Sequence, residues 1–496
     1  MNISKNRIVV VGGGTAGAIS ATYIKKTWGN KVEVVLIYDH SKPNIGIGES
    51  LTPTIYDYLN FVGITREELI RNVNATVKLG IKFKNWLNKN DEFYHSFIQQ
   101  QLNAITPFNF EAAYDLISGK YDLDVCYGKD FFEQTRIPLD SNQGQSVHID
   151  GVLFSKYIIE KFKNDLTIID DVVTDVIVEN QKINHLILER NGKISGNFYI
   201  DASGFSAFLF KHLSPEWVDK QDWLPLDSCI PNPIPTPNVK ELPVCTLAEA
   251  SEDGWILQVP LSNRVGAGYL YSSGFTSDEI ALERFDSFLR KKYNSPLNDT
   301  FASGPGRGNK VLKFKSGYWK KQWIGNCLVI GLSSGFAEPL EATNIHQAVF
   351  QMKKFLSMYN FECFDFDINQ YNMSMQEFYE RVYLFIRFCY TGGRTDSEFW
   401  KYMTNNIPYE VHCLDQKIKK DILNIQSMSD SIFVYLNFTK IAFGLKKINF
   451  DSYEKNLKDR SLYEIARSNS QEIKKIKNDF LSQTVNHKKY IEEILN

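Results

Sequence analysis

The chain has 496 residues, 43% of them hydrophobic and 23% charged, with a formal net charge of −2. That length exceeds what a single core usually serves, so two or three structural units are expected. The near-neutral balance argues against nucleic acid or an anionic membrane as a partner.

The first segment with a clear pattern, residues 7–28, reads as strand, glycine turn and helix, and 32–38 (VEVVLIY) as a second buried strand. This βαβ opening predicts a parallel sheet with a right-handed crossover. The apolar run Ile8–Val11 is too short for a signal peptide, and nowhere do about 18 apolar residues follow one another, so no transmembrane helix is expected. A loop rich in Gly, Pro and Thr covers 43–55, and 56–73 reads as helical. Lys78 to Trp86 alternates like a strand, and Phe154 to Phe162 reads as a helix. Short strands are expected within 167–200, alternation typical of an antiparallel sheet over 241–275, and a buried strand at 327–332. From about 345 the pattern is mostly helical, and the last 45 residues are Lys/Glu-rich and amphipathic.

Nucleotide-type segments therefore recur along the chain, separated by segments of antiparallel character. The expected fold class is α/β, with a discontinuous doubly wound nucleotide domain over 1–90, 145–210 and 310–350. A substrate-side sheet region is expected over 91–144 and 211–309, and a mainly helical covering region over 351–496. The seven cysteines form no CxxC pair and the eight histidines no HExxH pair. A reducing, cytoplasmic setting and no metal are expected. Aromatic residues, at 14%, suit either a large core or a pocket for a flat apolar ligand.

Gly12-Gly13-Gly14-Thr15-Ala16-Gly17 has the GxGxxG spacing, preceded by a strand and followed by a helix. Gly12 permits the tight turn, Gly14 lets the backbone approach a pyrophosphate, and Gly17 lets helix and strand pack closely. The helix N-terminus offers N–H donors to the phosphates. Asp39, about 20 residues beyond the glycines, is the candidate ribose ligand; Tyr38 is the alternative at the strand end. Two further strand-to-glycine-turn segments, IDASGF (200–205) and the loop after the strand in 325–343, favour FAD over NAD.

With these motifs in place, the chain over roughly residues 6–445 resembles the flavin-dependent tryptophan halogenase family. The resemblance rests on GGGTAG (12–17), IGIGESLTPTI (45–55), KLGIKF (78–83), FYHSF (93–97), VHIDGVLF (147–154), DASGF (201–205), GWILQVPL (254–261), GFAEPLEAT (335–343) and GRTDSEFW (393–400). It implies a flavin-monooxygenase-type, Rossmann-like FAD domain with an inserted antiparallel sheet and a helical C-terminal region. It also implies halogenation of an electron-rich, indole- or phenol-like aromatic by hypohalous acid. The acid is made at reduced FAD, supplied as FADH2 by a separate flavin reductase, and carried through a tunnel to a lysine. The halide is chloride, bromide or iodide. A homo-oligomer is expected. The alternatives are a flavin-dependent aromatic hydroxylase and a non-catalytic flavoprotein.

By the same resemblance Lys78 is the lysine between flavin and substrate. A partly dry setting would lower its pKa and give access to both ammonium and amine. Glu341 is the carboxylate facing the substrate, able to take the ring proton, whereas Glu338 is expected to cap or pair near the turn. Gly48, Glu49, Ser50, Gly331 and Phe336 join Thr15 and Ala16 around the cofactor. Thr343 and Asn344 bind the halide through backbone N–H groups, with Asn344 taking the place of a left-handed glycine. His95 and Phe97 face the substrate ring. The family's WxWxIP pattern is altered here, with Trp255 and Pro260 kept and Leu257 and Val259 substituted. Ile432 stands where tryptophan-specific members carry Trp, so free tryptophan is not assigned as the substrate.

Overall fold

The computed structural model describes residues 6–41, 47–97, 129–139, 144–235, 241–297, 311–361, 365–420, 432–459, 461, 463–464 and 481–496. Most of the expected segment 91–144, and residues 465–480 of the Lys/Glu-rich C-terminal stretch, lie outside the described residues.

The βαβ opening forms as the sequence suggests. Asn6–Val11 pairs in parallel with Val32–Tyr38 on one side and Phe198–Asp201 on the other. Thr167–Asp170 extends the parallel sheet at one end, Cys327–Val329 at the other, and Trp323–Ile324 adds an antiparallel edge. Buried on both faces, these strands are almost continuous runs of Val and Ile. On one face helices Thr15–Trp28, Gly151–Lys161 and Thr343–Met358 share a core with Ile8, Val10, Val34 and Leu36. On the other, Val9, Val11 and Val35 meet the antiparallel strands Val173–Glu179 and Lys182–Leu188.

A second sheet has seven strands in the order Leu312–Lys313, Ser228–Pro235, Arg264–Tyr271, Gly254–Pro260, Cys245–Ser251, Gly80–Lys84 and Glu92–Ser96. All neighbours are antiparallel except Cys245–Ser251 with Gly80–Lys84. Pro231, Pro233 and Pro235 lie beyond the short pairing of Ser228 and Cys229 with the edge strand, where no ladder donor is needed. Helix Asp278–Tyr293 covers one face and Asp365–Cys389, with the helices that follow it, the other. The fold is thus α/β, with parallel and antiparallel sheets and a helical C-terminal region.

The expected helical stretch divides in two, and the expected strand from Lys78 is shared between two sheets. Residues 56–73 form two helices, Ile55–Val62 and Arg66–Val73. Gly63, at φ 74°, ends the first, and Thr65 with Glu68 forms a reciprocal capping box for the second. The alternation from Lys78 onward belongs to two sheets: Thr76–Lys78 pairs with Ser146–Ile149, and Gly80–Lys84 joins the seven-stranded sheet. Leu79 is the joint, its N–H donating to Val244 O and its carbonyl accepting from Phe97 N, both at 2.7 Å. Among the described residues no helix is long and apolar enough to cross a membrane, and no group of three His, Cys, Asp or Glu could hold a metal.

Candidate active site

The glycine turn has the shape a dinucleotide needs. Gly12 sits at φ 124°, and a Cβ there would lie 2.1 Å from Ala202 O. A Cβ on Gly17 would lie 1.8 Å from Gly12 O, whereas one on Gly14 would meet nothing within 4 Å. Gly14 precedes helix Thr15–Trp28 without a capping side chain, so the first N–H groups face open space beside a backbone that can be approached closely. Gly331, at φ 60°, brings its loop against Ala16, whose Cβ would be 2.6 Å from an added Cβ. Thr15 Oγ1 reaches Gly151 O at 3.4 Å. The three glycine-bearing segments therefore converge, and the cradle fits FAD.

Around it, Asp39 directly follows strand Val32–Tyr38, and its Oδ1 accepts from Ser41 N (2.9 Å) and Ser41 Oγ (2.6 Å). Tyr38 packs its ring over Gly13. Gly48 adopts φ 130° against Val259, and Glu49–Ser50 pairs with His148 and Ile149. Burial, then the negative charge of Asp150, pushes the Glu49 carboxyl up to about 7. Phe336 packs edge-on against Phe205 and Phe314.

Lys78, His95, Phe97 and Glu341 come together in the interior. Lys78 is fully buried at the end of Thr76–Lys78; its Nζ donates to Leu51 O at 2.9 Å and lies 4.8 Å from the centre of the Phe97 ring. Burial pushes its pKa down to about 7, while the nearby Glu341 charge pulls the other way. Glu341 is 1% exposed; its Oε2 meets His95 Nδ1 at 2.8 Å, and its Oε1 has no hydrogen-bond partner. Phe97 lies 5.9 Å edge-on from His95, Phe385 lies 5.6 Å from it on another side, and Phe433 stacks on Phe385 at 3.9 Å. Ile432 packs against the hydrophobic cluster that contains Phe385 and Phe433.

Two residues beyond Glu341, helix Thr343–Met358 begins with no capping side chain, leaving its first N–H groups for an anion. Thr343 is buried at its first position. The left-handed residue of the turn is Ala342, at φ 59°, and Asn344 is already helical. The expectation that Asn344 replaces a left-handed glycine is therefore corrected: the chain reverses two residues earlier, after the short helix Pro339–Glu341. Glu338 is a pairing residue. Its Oε1 accepts from Trp255 Nε1 at 3.1 Å and from the Tyr390 hydroxyl, and burial pushes its carboxyl up to about 7. Leu257 is buried in the same strand as Trp255.

Three further groups join the site without a role assigned from the sequence. Asn437 donates from Nδ2 to His95 Nε2 at 2.9 Å. His148 joins the cofactor loop to the lysine strand: Ser50 Oγ lies 2.7 Å from Thr246 Oγ1, which lies 3.0 Å from His148 Nε2, and His148 Nδ1 lies 3.0 Å from Thr76 Oγ1. His487, from the far end of the sequence, accepts from Val77 N at 2.9 Å. No local pattern marks Asn437 or His487, and His148 lies in the VHIDGVLF motif, which carries the resemblance without assigning that histidine a role.

The family model described as tryptophan halogenase matches residues 7–458. The tryptophan 6-halogenase SttH of Streptomyces toxytricini is 28% identical over 435 residues, covering 80% of this chain and 80% of that protein. The tryptophan 7-halogenase RebH of Lentzea aerocolonigenes is 27% identical over 447 residues, covering 80% and 78%. Among solved structures, Tar14, a tryptophan C-6 flavin-dependent halogenase from taromycin biosynthesis, superposes with a TM-score of 0.86 at 25% identity, covering 99% of this chain and 100% of that one. A tryptophan halogenase from Shewanella frigidimarina NCIMB 400 shares the fold, with a TM-score of 0.87 at 22% identity over 99% and 97% of the two chains.

Proposed function

Since the chain belongs to the tryptophan halogenase family and is thereby a flavin-dependent halogenase of aromatic compounds, we propose that it uses Lys78 to deliver hypohalous acid and Glu341 to take the ring proton of an indole- or phenol-like substrate. The observation that carries this reading is the buried meeting of Lys78, His95, Phe97 and Glu341.

Bound here, FAD reduced by a separate flavin reductase would supply, with O2, the two-electron oxidation that turns halide into hypohalous acid. Gly12, Gly14 and Gly17, the first N–H groups after them, Thr15, Ala16, Gly331 and Phe336 hold the cofactor, and Asp39 takes the ribose. The loop bearing Gly48, Glu49 and Ser50 covers it. Thr343 and Asn344 offer backbone N–H groups to the halide. Leu51, directly after that loop, accepts from Lys78 Nζ, and Ala342 and Thr343 directly follow Glu341, so both the loop and the helix start connect to the lysine and carboxylate, which supports a short route for the acid between the two sites. Keeping the sites apart shields the substrate from hydroxylation and the acid from bulk water.

At the lysine, an ammonium near neutrality can give a proton as readily as keep it. The oxygen–halogen bond breaks as the ring carbon bonds the halogen, and water leaves with the proton from Lys78. The ring's C–H electron pair then returns to the aromatic system while Glu341 Oε1 accepts the proton. The orphaned Oε1 is the oxygen available for this step. Proton exchange between the two residues restores the starting state.

The test supplies FAD, a flavin reductase, NADH, oxygen and each halide in turn with a panel of indoles and phenols, products being read by mass. Lys78→Ala should abolish halogenated product while flavin oxidation continues. Wild-type product from that variant would overturn the assignment.

A further inference from the structure

The carboxylate of Glu341 is held by one ring nitrogen of His95, so the location of that ring's proton decides what Glu341 can do. We propose that Asn437 is a positioning residue that fixes His95 as the neutral ring protonated at Nδ1, turning Glu341 Oε1 toward the substrate. The inference rests on the reading of Glu341 as proton acceptor.

The argument starts at the backbone. Helix Tyr435–Gly444 begins after Val434, and Asn437 is its third residue. Asn437 Oδ1 accepts from Val434 N at 2.9 Å, satisfying one of the N–H groups a helix start leaves over. A backbone N–H can only donate, so the oxygen of the amide must face it. The Nδ2 group is thereby the one that meets His95 Nε2, at 2.9 Å. An amide nitrogen can only donate, so His95 Nε2 must offer its lone pair. A neutral imidazole with Nε2 as acceptor carries its proton on Nδ1. Nδ1 then donates to Glu341 Oε2 across 2.8 Å.

Each assignment follows from its neighbour, and the chain is fixed at its far end by main chain. His95 is 0% exposed, Glu341 1% and Asn437 6%, so no bulk water is at hand to exchange these roles. With Oε2 engaged, the carboxylate has one rotational setting, and Oε1 is the oxygen left without a partner. The reversed tautomer would set a lone pair against Oε2 and an N–H against the amide N–H, two repulsive contacts in the dry interior.

Asn437→Asp separates this role from helix capping. An aspartate oxygen still accepts from Val434 N, so the helix start is kept. It now presents an acceptor to His95 Nε2, and two carboxylates flanking one imidazole favour a ring protonated on both nitrogens. Such a ring binds Glu341 as an ion pair and weakens it as a proton acceptor. With 15N-labelled histidine, the wild-type His95 signals should show a neutral ring protonated at Nδ1, and Asn437→Asp a doubly protonated ring. The variant's kcat should fall about 10–100-fold, as when an orienting partner of a reacting group is altered. Substrate KM, FAD Kd and melting temperature should stay close to wild type. A wild-type ring protonated at Nε2, or wild-type turnover in Asn437→Asp, would overturn the proposal. The tautomer measurement needs no variant, so the proposal stays testable even if Asn437→Asp does not fold. Normal halogenation by Glu341→Gln would instead remove the acceptor reading, while the tautomer result would stand on its own.

Discussion

Replacing Lys78 by Met should make the protein more stable while it loses halogenation. The folded state lowers the lysine pKa from an ordinary 10.5 to about 7, which is worth about 5 kcal/mol at 1.36 kcal/mol per tenfold. Methionine has similar length and escapes that penalty, but leaves Leu51 O without its 2.9 Å donor, at a cost of about 2 kcal/mol. The net gain is about 3 kcal/mol at pH 6.5. The sign with pH follows from proton counting: between 7 and 10.5 the unfolded lysine binds a proton that the folded one does not, so wild-type stability rises with pH. The advantage of Met should therefore shrink over that window and close by about pH 9.5. At about 2.1 cal/mol/K per residue of unfolding entropy, 496 residues give about 1 °C per kcal/mol, hence a Tm about 3 °C higher at pH 6.5. Scanning calorimetry of the cofactor-free protein at both pH values reads this directly. A Met variant melting at or below wild type at pH 6.5, or showing the same gap at both pH values, refutes the reasoning.

Other outcomes can be checked with the same protein. Glu341→Gln should lower kcat by about 10²–10⁴ with little change in KM, the range for a positioned general base; steady-state kinetics on any accepted substrate reads this. Glu338 ionises near 7 when folded and 4.5 when unfolded, so the stability associated with its neutral form is complete below 4.5 and lost as pH rises through 7. Glu338→Gln should accordingly raise Tm relative to wild type at pH 8, by up to about 3 kcal/mol in stability, and leave it nearly unchanged at pH 4.5; calorimetry at those two pH values decides. His487→Ala should lower Tm and impair halogenation together, because the buried Val77 N–H beside Lys78 loses its acceptor at about 1–3 kcal/mol, and a melting curve paired with a product assay shows whether the two losses coincide.

The features legible in the sequence are those whose physics is local. Gly12 and Gly17 are required where the backbone leaves no room for a Cβ, and their spacing announces the turn. The break within the helical stretch 56–73 is equally local: Gly63 and the Thr65–Glu68 capping pair are both visible in the letters. The left-handed turn before Thr343 is hidden in the sequence because Ala342 is an unusual choice for that conformation, costing about 1–2 kcal/mol. Lys78 and Glu341 are legible only through motif resemblance, since no spacing rule relates a strand lysine to a carboxylate 263 positions later, as their numbers show. Asn437 and His487 gave no sign, because each acts on a residue brought near only by the finished fold.

His487 lies 410 positions from the Val77 amide it accepts from. At about 5–20 residues per second, a ribosome needs roughly 20–80 s between emitting the two. Through that interval the nascent chain can assemble its glycine turn and its early strands, yet the donor next to Lys78 relies on water until the imidazole arrives. Translation products that end before His487 would thus carry the glycine turn and the strand Thr76–Lys78 without the buried acceptor for the Val77 N–H.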